Sequence, residues 1–125
     1  MGRFYTGDIK GKFWFGVQSS DDASYFGGES QRRRNSMEHR YDIEHLPNVR
    51  AGIVKCMKEL GQALPKLDDF FSKHEVYNEQ DIEMETGIKK EDIRKLLTWY
   101  ARLELGMKIV KRLRIKGQCK FKAEL

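Results

Sequence analysis

The stretch Gln118-Cys119-Lys120-Phe121-Lys122-Ala123-Glu124-Leu125 alternates polar with apolar residues at strict period two. Successive strand side chains point to opposite faces, so Cys119, Phe121, Ala123 and Leu125 form one buried face and their neighbours a wet one. A strand needs hydrogen-bonding partners, and the segment before this one is helical in pattern. The strand must therefore return to the strands at the beginning of the chain. That return makes the fold α+β: an antiparallel sheet of about four strands, three N-terminal and one C-terminal, packed on a central block of two to four helices.

Working back from residue 118, two apolar lines run along one predicted helix from Lys90 or Glu91 to about Lys111–Leu113. The principal stripe is Ile93, Leu96, Leu97, Tyr100, Leu103, Met107 and Val110. A second line, Ala101, Leu105, Ile109 and Leu113, lies on another side at i+4 spacing. A helix apolar on two sides is either covered twice within its own fold or used in self-association. Leu105, Ile109 and Leu113 are therefore the candidate oligomer interface. Asn78 caps a short predicted helix over 79–86, which Gly87 ends. From Leu46, the residues Val49, Ile53, Cys56, Met57, Leu60, Leu64, Leu67 and Phe71 follow 3, 4 spacing. Pro47 suits the first turn, and Gly61 and Pro65 predict a kink or a break into two helices.

Before residue 46 the chain is β-rich. Met37, His39, Tyr41 and Ile43 alternate with Glu38, Arg40, Asp42 and Glu44, a half-buried strand. Residues 3–18 read as a hairpin through Gly7-Asp8-Ile9-Lys10-Gly11. In its second strand Phe13, Phe15 and Val17 share one face and Trp14 and Gly16 the other, which predicts a central strand. Gly16 beside Trp14 leaves room for an aromatic ring or a ligand. Residues 19–36 show no sustained period and read as a long loop, a usual seat of binding sites.

At 125 residues, 39% hydrophobic and 34% charged, the chain suits one domain, residues 1–125. It is β-rich over 1–45, helical over 46–113 and closed by a strand over 117–125. Cys56 and Cys119 fall within apolar patterns and read as buried thiols. No signal-type segment or membrane-length apolar run is visible, so the expected location is cytoplasmic and no membrane partner is expected. Basic and acidic residues balance at seven each over 1–45, stand at five against eight over 46–88, and at twelve against four over 89–125. The net charge of +5 thus belongs to the C-terminal third and points to an anionic partner.

Two groups of residues suit such a partner. Arg32-Arg33-Arg34 shares the 19–36 stretch with Tyr25 and Phe26, and Trp14 lies nearby if the sheet forms as read. Guanidinium forks grip phosphates and aromatic faces stack on bases, so this set suits a nucleotide or single-stranded nucleic acid. Residues 81–97 resemble a helix-turn-helix, with Lys89, Lys90, Arg94 and Lys95 at the start of its second helix, placed for phosphates and base edges. Asp81, Glu83 and Glu85 on the first helix oppose that reading.

No nucleophile context, cysteine pair at metal spacing or phosphate loop is recognisable, and His39, His45 and His74 are dispersed. Ser19, Ser20, Asp21 and Asp22 read as an exposed acidic loop start. No catalytic residue, metal or cofactor is expected.

The segment from Gly2 to Asp22, GRFYTGDIKGKFWFGVQSSDD, together with Trp99-Tyr100-Ala101-Arg102-Leu103-Glu104-Leu105-Gly106, resembles a group of small uncharacterised proteins of phages and mobile elements. The resemblance implies a non-enzymatic accessory binding protein: one that captures a nucleotide signal or nucleic acid to counter a host defence, that alters transcription, or that docks on a host protein as an inhibitor.

Overall fold

The computed structural model describes residues 3–13 and 18–125. The strands are β1 (Phe4–Gly7), β2 (Gly11–Lys12), β3 (Glu29–Arg32), β4 (Ser36–Asp42) and β5 (Gln118–Glu124). The helices are α1 (Leu46–Leu60), α2 (Ala63–Lys73), α3 (Glu79–Thr86) and α4 (Lys90–Lys116), with 3-10 turns at Asp22–Phe26 and Ile43–His45. Among the described residues no helix is long and apolar enough to cross a membrane.

The five strands form one antiparallel sheet in the order β2-β1-β5-β4-β3. The C-terminal strand is its centre. β5 pairs with β1 through Thr6 opposite Lys122 and with β4 through His39 opposite Phe121. The expected return of the last strand to the first ones is thus observed. The fifth strand, β3, was hidden in the stretch read as a loop. Its residues Glu29-Ser30-Gln31-Arg32 are all exposed at the sheet edge, so they carry no apolar face for a period to reveal. Of the predicted second strand of the first hairpin, β2 pairs with β1 at the opposite edge among the described residues, while Trp14, Phe15, Gly16 and Val17, on which its central placing was read, lie outside the described residues.

The inner face of the sheet carries Tyr5, His39, Tyr41, Cys119, Phe121 and Ala123, all buried. Phe121 is the hub of this face, with Tyr41 stacked at 6.3 Å, Tyr5 edge-on at 5.7 Å and His39 at 5.3 Å. Onto this face packs α4, which also runs along α1. Both cysteines are free and buried. Burial pushes the Cys56 thiol up to about 11 and the Cys119 thiol up to about 12, so both rest as neutral thiols near neutral pH.

Gly61 at φ +52° separates α1 from α2, where the sequence predicted a break. The break turns α2 so that Leu67 and Phe70 are its buried residues, while Phe71 is only partly covered and Met57 on α1 is exposed. The C-terminal half of α4 behaves likewise. Ala101, Leu105 and Ile109 are 0% exposed and Leu113 is 1% exposed, whereas Met107 of the other stripe is 50% exposed. Leu105, Ile109 and Leu113 are therefore core residues and do not form an oligomer interface. α4 lies between α1 and the sheet, so its second apolar line is covered within the same chain.

Phe26, on the first 3-10 turn, fills a socket between α1 and α4. A Cβ at Gly52 would stand 2.7 Å from its ring, and one at Gly106 would stand 2.6 Å away. These glycines are there because the ring takes their side-chain space.

Candidate anion-binding surface

The helices cover one face of the sheet, and β-strand alternation puts charged side chains on the other. Across that open face Gln31, Glu38, Lys122 and Thr6 form one row of paired positions, and Glu29, Arg40 and Lys120 the next. Lys120 and Lys122 are two residues apart on β5, hence ~7 Å along the strand. A hollow of about 500 Å³ is lined by Glu29, Gln31, Arg33, Glu38, Arg40 and Lys120, with Ser30 at its edge. Arg33 opens the hairpin turn between β3 and β4, closed by its N–H donating to the Ser36 carbonyl at 2.7 Å.

The carboxylates of this face hold the cations in place. Glu29 pairs with Arg40. Glu38 takes Arg33 at 3.5 Å and Lys120 at 3.6 Å. Partial burial would raise the Glu38 carboxyl, but Lys120 and Arg33 outweigh it and hold the group below the usual range. Arg32, Arg34 and Lys122 have no carboxylate partner among the described residues.

The sequence-predicted binding residues part company here. Arg32, Arg33 and Arg34 are exposed at the hairpin tip. Phe26 is 1% exposed and presents no ring to a ligand. Tyr25 lies on the helix side, edge-on to Trp99 at 5.8 Å, with the Arg102 guanidinium 4.6 Å from its ring centre and 4.8 Å from that of Trp99. Trp14 is outside the described residues. The structure thus keeps the arginine triplet together and separates Tyr25 and Phe26 from it, because the 3-10 turn docks between the helices while β3 runs to the sheet edge.

Arg102 belongs to a buried polar chain that sequence reading missed. Its Nε donates to Asp22 Oδ1 at 2.8 Å, and Gln18 Nε2 donates to Asp22 Oδ2 at 2.9 Å. The Tyr5 hydroxyl donates to Gln18 Oε1 at 3.0 Å. Asp22, Gln18 and Ser20 are buried, so Asp22 and Ser20 are not part of an exposed acidic loop. Buried polar groups need partners, and each finds one on a distant element. The network fixes residues 18–26 onto β1 and α4. No residue spacing announces it, since Asp22 and Arg102 are 80 positions apart.

The helix-turn-helix-like segment forms as α3, Gly87 at φ +76° and α4. Asn78 and Asp81 make a reciprocal capping box. Lys89, Lys90, Arg94 and Lys95 are all exposed at the start of α4. Glu83, however, accepts the Lys90 backbone N–H at 2.9 Å, and Glu91 and Asp92 occupy the first turn of α4. The local field is mixed in sign. Among the described residues no three His, Cys, Asp or Glu side chains gather as metal ligands would. Comparison with protein-family models, with curated proteins and with solved structures finds no match to this chain.

Proposed function

We propose that the protein is a non-enzymatic binder of a phosphate-bearing partner, single-stranded nucleic acid first, held on the open face of its sheet. One observation carries this reading: the helices leave one sheet face bare, and around Glu29 and Glu38 that face offers Arg33, Arg40, Lys120 and Lys122. Cations at strand spacing suit the repeating phosphates of an extended strand. Phe4, 46% exposed beside this face on β1, supplies a ring for a base to stack on. The hollow also falls in the range of roughly 300–1,000 Å³ typical of small-ligand sites, so capture of a free nucleotide is the near variant of the same reading. In a phage or mobile-element setting, such a binder would withdraw a nucleic acid or nucleotide signal from a host defence.

The test is fluorescence anisotropy with a labelled oligothymidylate at low salt, nucleotides as competitors, and the Lys120→Gln/Lys122→Gln variant. Binding weakened in the variant supports the reading. Absent binding of strand and nucleotides alike, or affinity unchanged in the variant, ends it.

The exposed Lys89, Lys90, Arg94 and Lys95 favour a second reading, duplex binding through α3 and α4. Glu83, Glu91 and Asp92 stand among those cations as Glu29, Glu38 and Glu124 do on the sheet, and this reading ranks lower because the sheet cations also line a hollow. Duplex affinity that falls when Lys89 and Arg94 are neutralised, with Lys120 intact, would reverse the order.

A further inference from the structure

A second cationic recess lies away from the open face. The β1–β2 turn, Asp8-Ile9-Lys10, rests against α4, and the two enclose a cavity of about 210 Å³ lined by Asp8, Ile9, Lys10, Lys108, Lys111, Arg112 and Ile115. In the sequence Gly7–Gly11 shows only turn chemistry and the basic end of α4 only charge.

The turn is held firmly. The Asp8 N–H donates to the Lys120 carbonyl at 2.9 Å, and Asp8 Oδ2 accepts the Lys120 N–H at 2.8 Å. Ile9 is buried, at 3% exposure. Asp8 Oδ1 receives Arg112 Nη2 at 3.0 Å. Both Asp8 oxygens are thereby committed, and the carboxylate orients Arg112. Asp8 takes one edge of the Arg112 guanidinium, whose side chain is still 38% exposed, and the opposite edge is left to donate to an oxyanion.

Charge supports the same conclusion. Among the described residues Lys10, Lys108, Lys111 and Arg112 line the recess with one carboxylate, Asp8. Lys108 also faces Glu104, one turn earlier on α4. The helix C-terminus alone does not explain the group, because Arg114 and Lys116 already occupy the last turn and Lys10 comes from a different element. Gathering like charges in a partly walled recess costs free energy that a bound anion removes.

We infer that this recess is a binding site for a phosphate or diphosphate group, held by Lys10, Lys111 and Arg112. At about 210 Å³ it is smaller than the roughly 300–1,000 Å³ of drug-sized pockets, so it takes the phosphate moiety and leaves any attached base or sugar outside. The site is separate from the open sheet face and does not depend on it.

The experiment is calorimetric titration of the full chain with inorganic pyrophosphate at low ionic strength, repeated on Lys10→Gln/Lys111→Gln and on Arg33→Gln. Both lysines are exposed, so the double variant keeps its thermal transition, whereas Arg112, braced by Asp8, is left intact. Charge-assisted hydrogen bonds are the strong ones, so the lysine variant weakens binding by roughly tenfold or more while Arg33→Gln leaves it unchanged. No heat at millimolar pyrophosphate, or equal affinity in the lysine variant, overturns the site. Competition then identifies the source of the group. Displacement by a terminally phosphorylated oligothymidylate but not by its unphosphorylated form places the phosphate at a strand end, and displacement by neither places it on a small free ligand. Either result keeps the site.

Discussion

His39 is 0% exposed on the inner face of the sheet, and its two nitrogens have different partners. Nε2 lies 2.8 Å from the Ser20 carbonyl, which can only accept, so the proton sits on Nε2 and Nδ1 accepts from the Ser30 hydroxyl at 2.8 Å. Burial is the main force on its titration and lowers it from 6.5, against smaller opposing effects of the Ser20 carbonyl, Asp21 and Asp22. Well above pH 6.5 both folded and unfolded chains hold this ring neutral. Below that value the unfolded chain takes up a proton that the folded chain refuses, and stability falls with pH. Thermal melts should show this slope, and His39→Gln should make it shallower; an unchanged slope would remove His39 as its source. Gly106 offers a second residue-level test. Alanine favours a helix over glycine by about 1 kcal/mol, yet the added methyl meets the Phe26 ring at 2.6 Å. Overpacking of this kind costs about 1–3 kcal/mol, so Gly106→Ala should lower the denaturation midpoint. Adding Phe26→Leu should recover part of the loss, a coupling that a double-mutant cycle measures.

At the scale of elements, α4 shows what a pattern can and cannot reveal. Its two apolar lines were legible in the sequence, but not that both are covered within the chain, Ile93, Leu97, Tyr100 and Leu103 of one being buried as well as Ala101, Leu105, Ile109 and Leu113 of the other, because spacing shows an apolar face and only the neighbours show what covers it. With Ile109 0% exposed, Ile109→Ala should cost about 2–5 kcal/mol in chemical denaturation. The same variant should leave the elution volume of the chain unchanged. A shift in oligomeric state without loss of stability would restore an interface role. α3 was legible to its ends because Asn78 and Gly87 are local signals read from adjacent residues. β5 was legible because one face is buried and the other wet. β3 was not, since an edge strand with both faces wet has no period in hydrophobicity. The arginine triplet could be seen as a candidate, but its separation from Tyr25 and Phe26 could not, because Gly52 and Gly106 form the socket from positions far along the chain. The Asp8–Arg112 recess was hidden for the same reason.

Across the whole molecule, the charge imbalance of the C-terminal third is divided between two faces. Lys120 and Lys122 lie on the open sheet, while Lys108, Lys111 and Arg112 lie at the recess. Nucleic-acid binding that uses Arg33, Arg40, Lys120 and Lys122 should give a slope of log K against log salt of about −3 for a single strand. Replacing both lysines by glutamine should bring the slope to about −1.5, whereas a slope unchanged by the replacement would put the contacts elsewhere. The position of β5 matters at this scale as well. It joins β1 to β4, so without it the sheet falls into two separate hairpins, each with an unpaired inner edge. In chain order β5 follows every other element. On the ribosome the sheet therefore cannot close until Gln118–Glu124 has cleared the exit tunnel. Closure of the sheet is then a late event, and a nascent chain stalled before Gln118 offers chaperones and other nascent chains two bare strand edges.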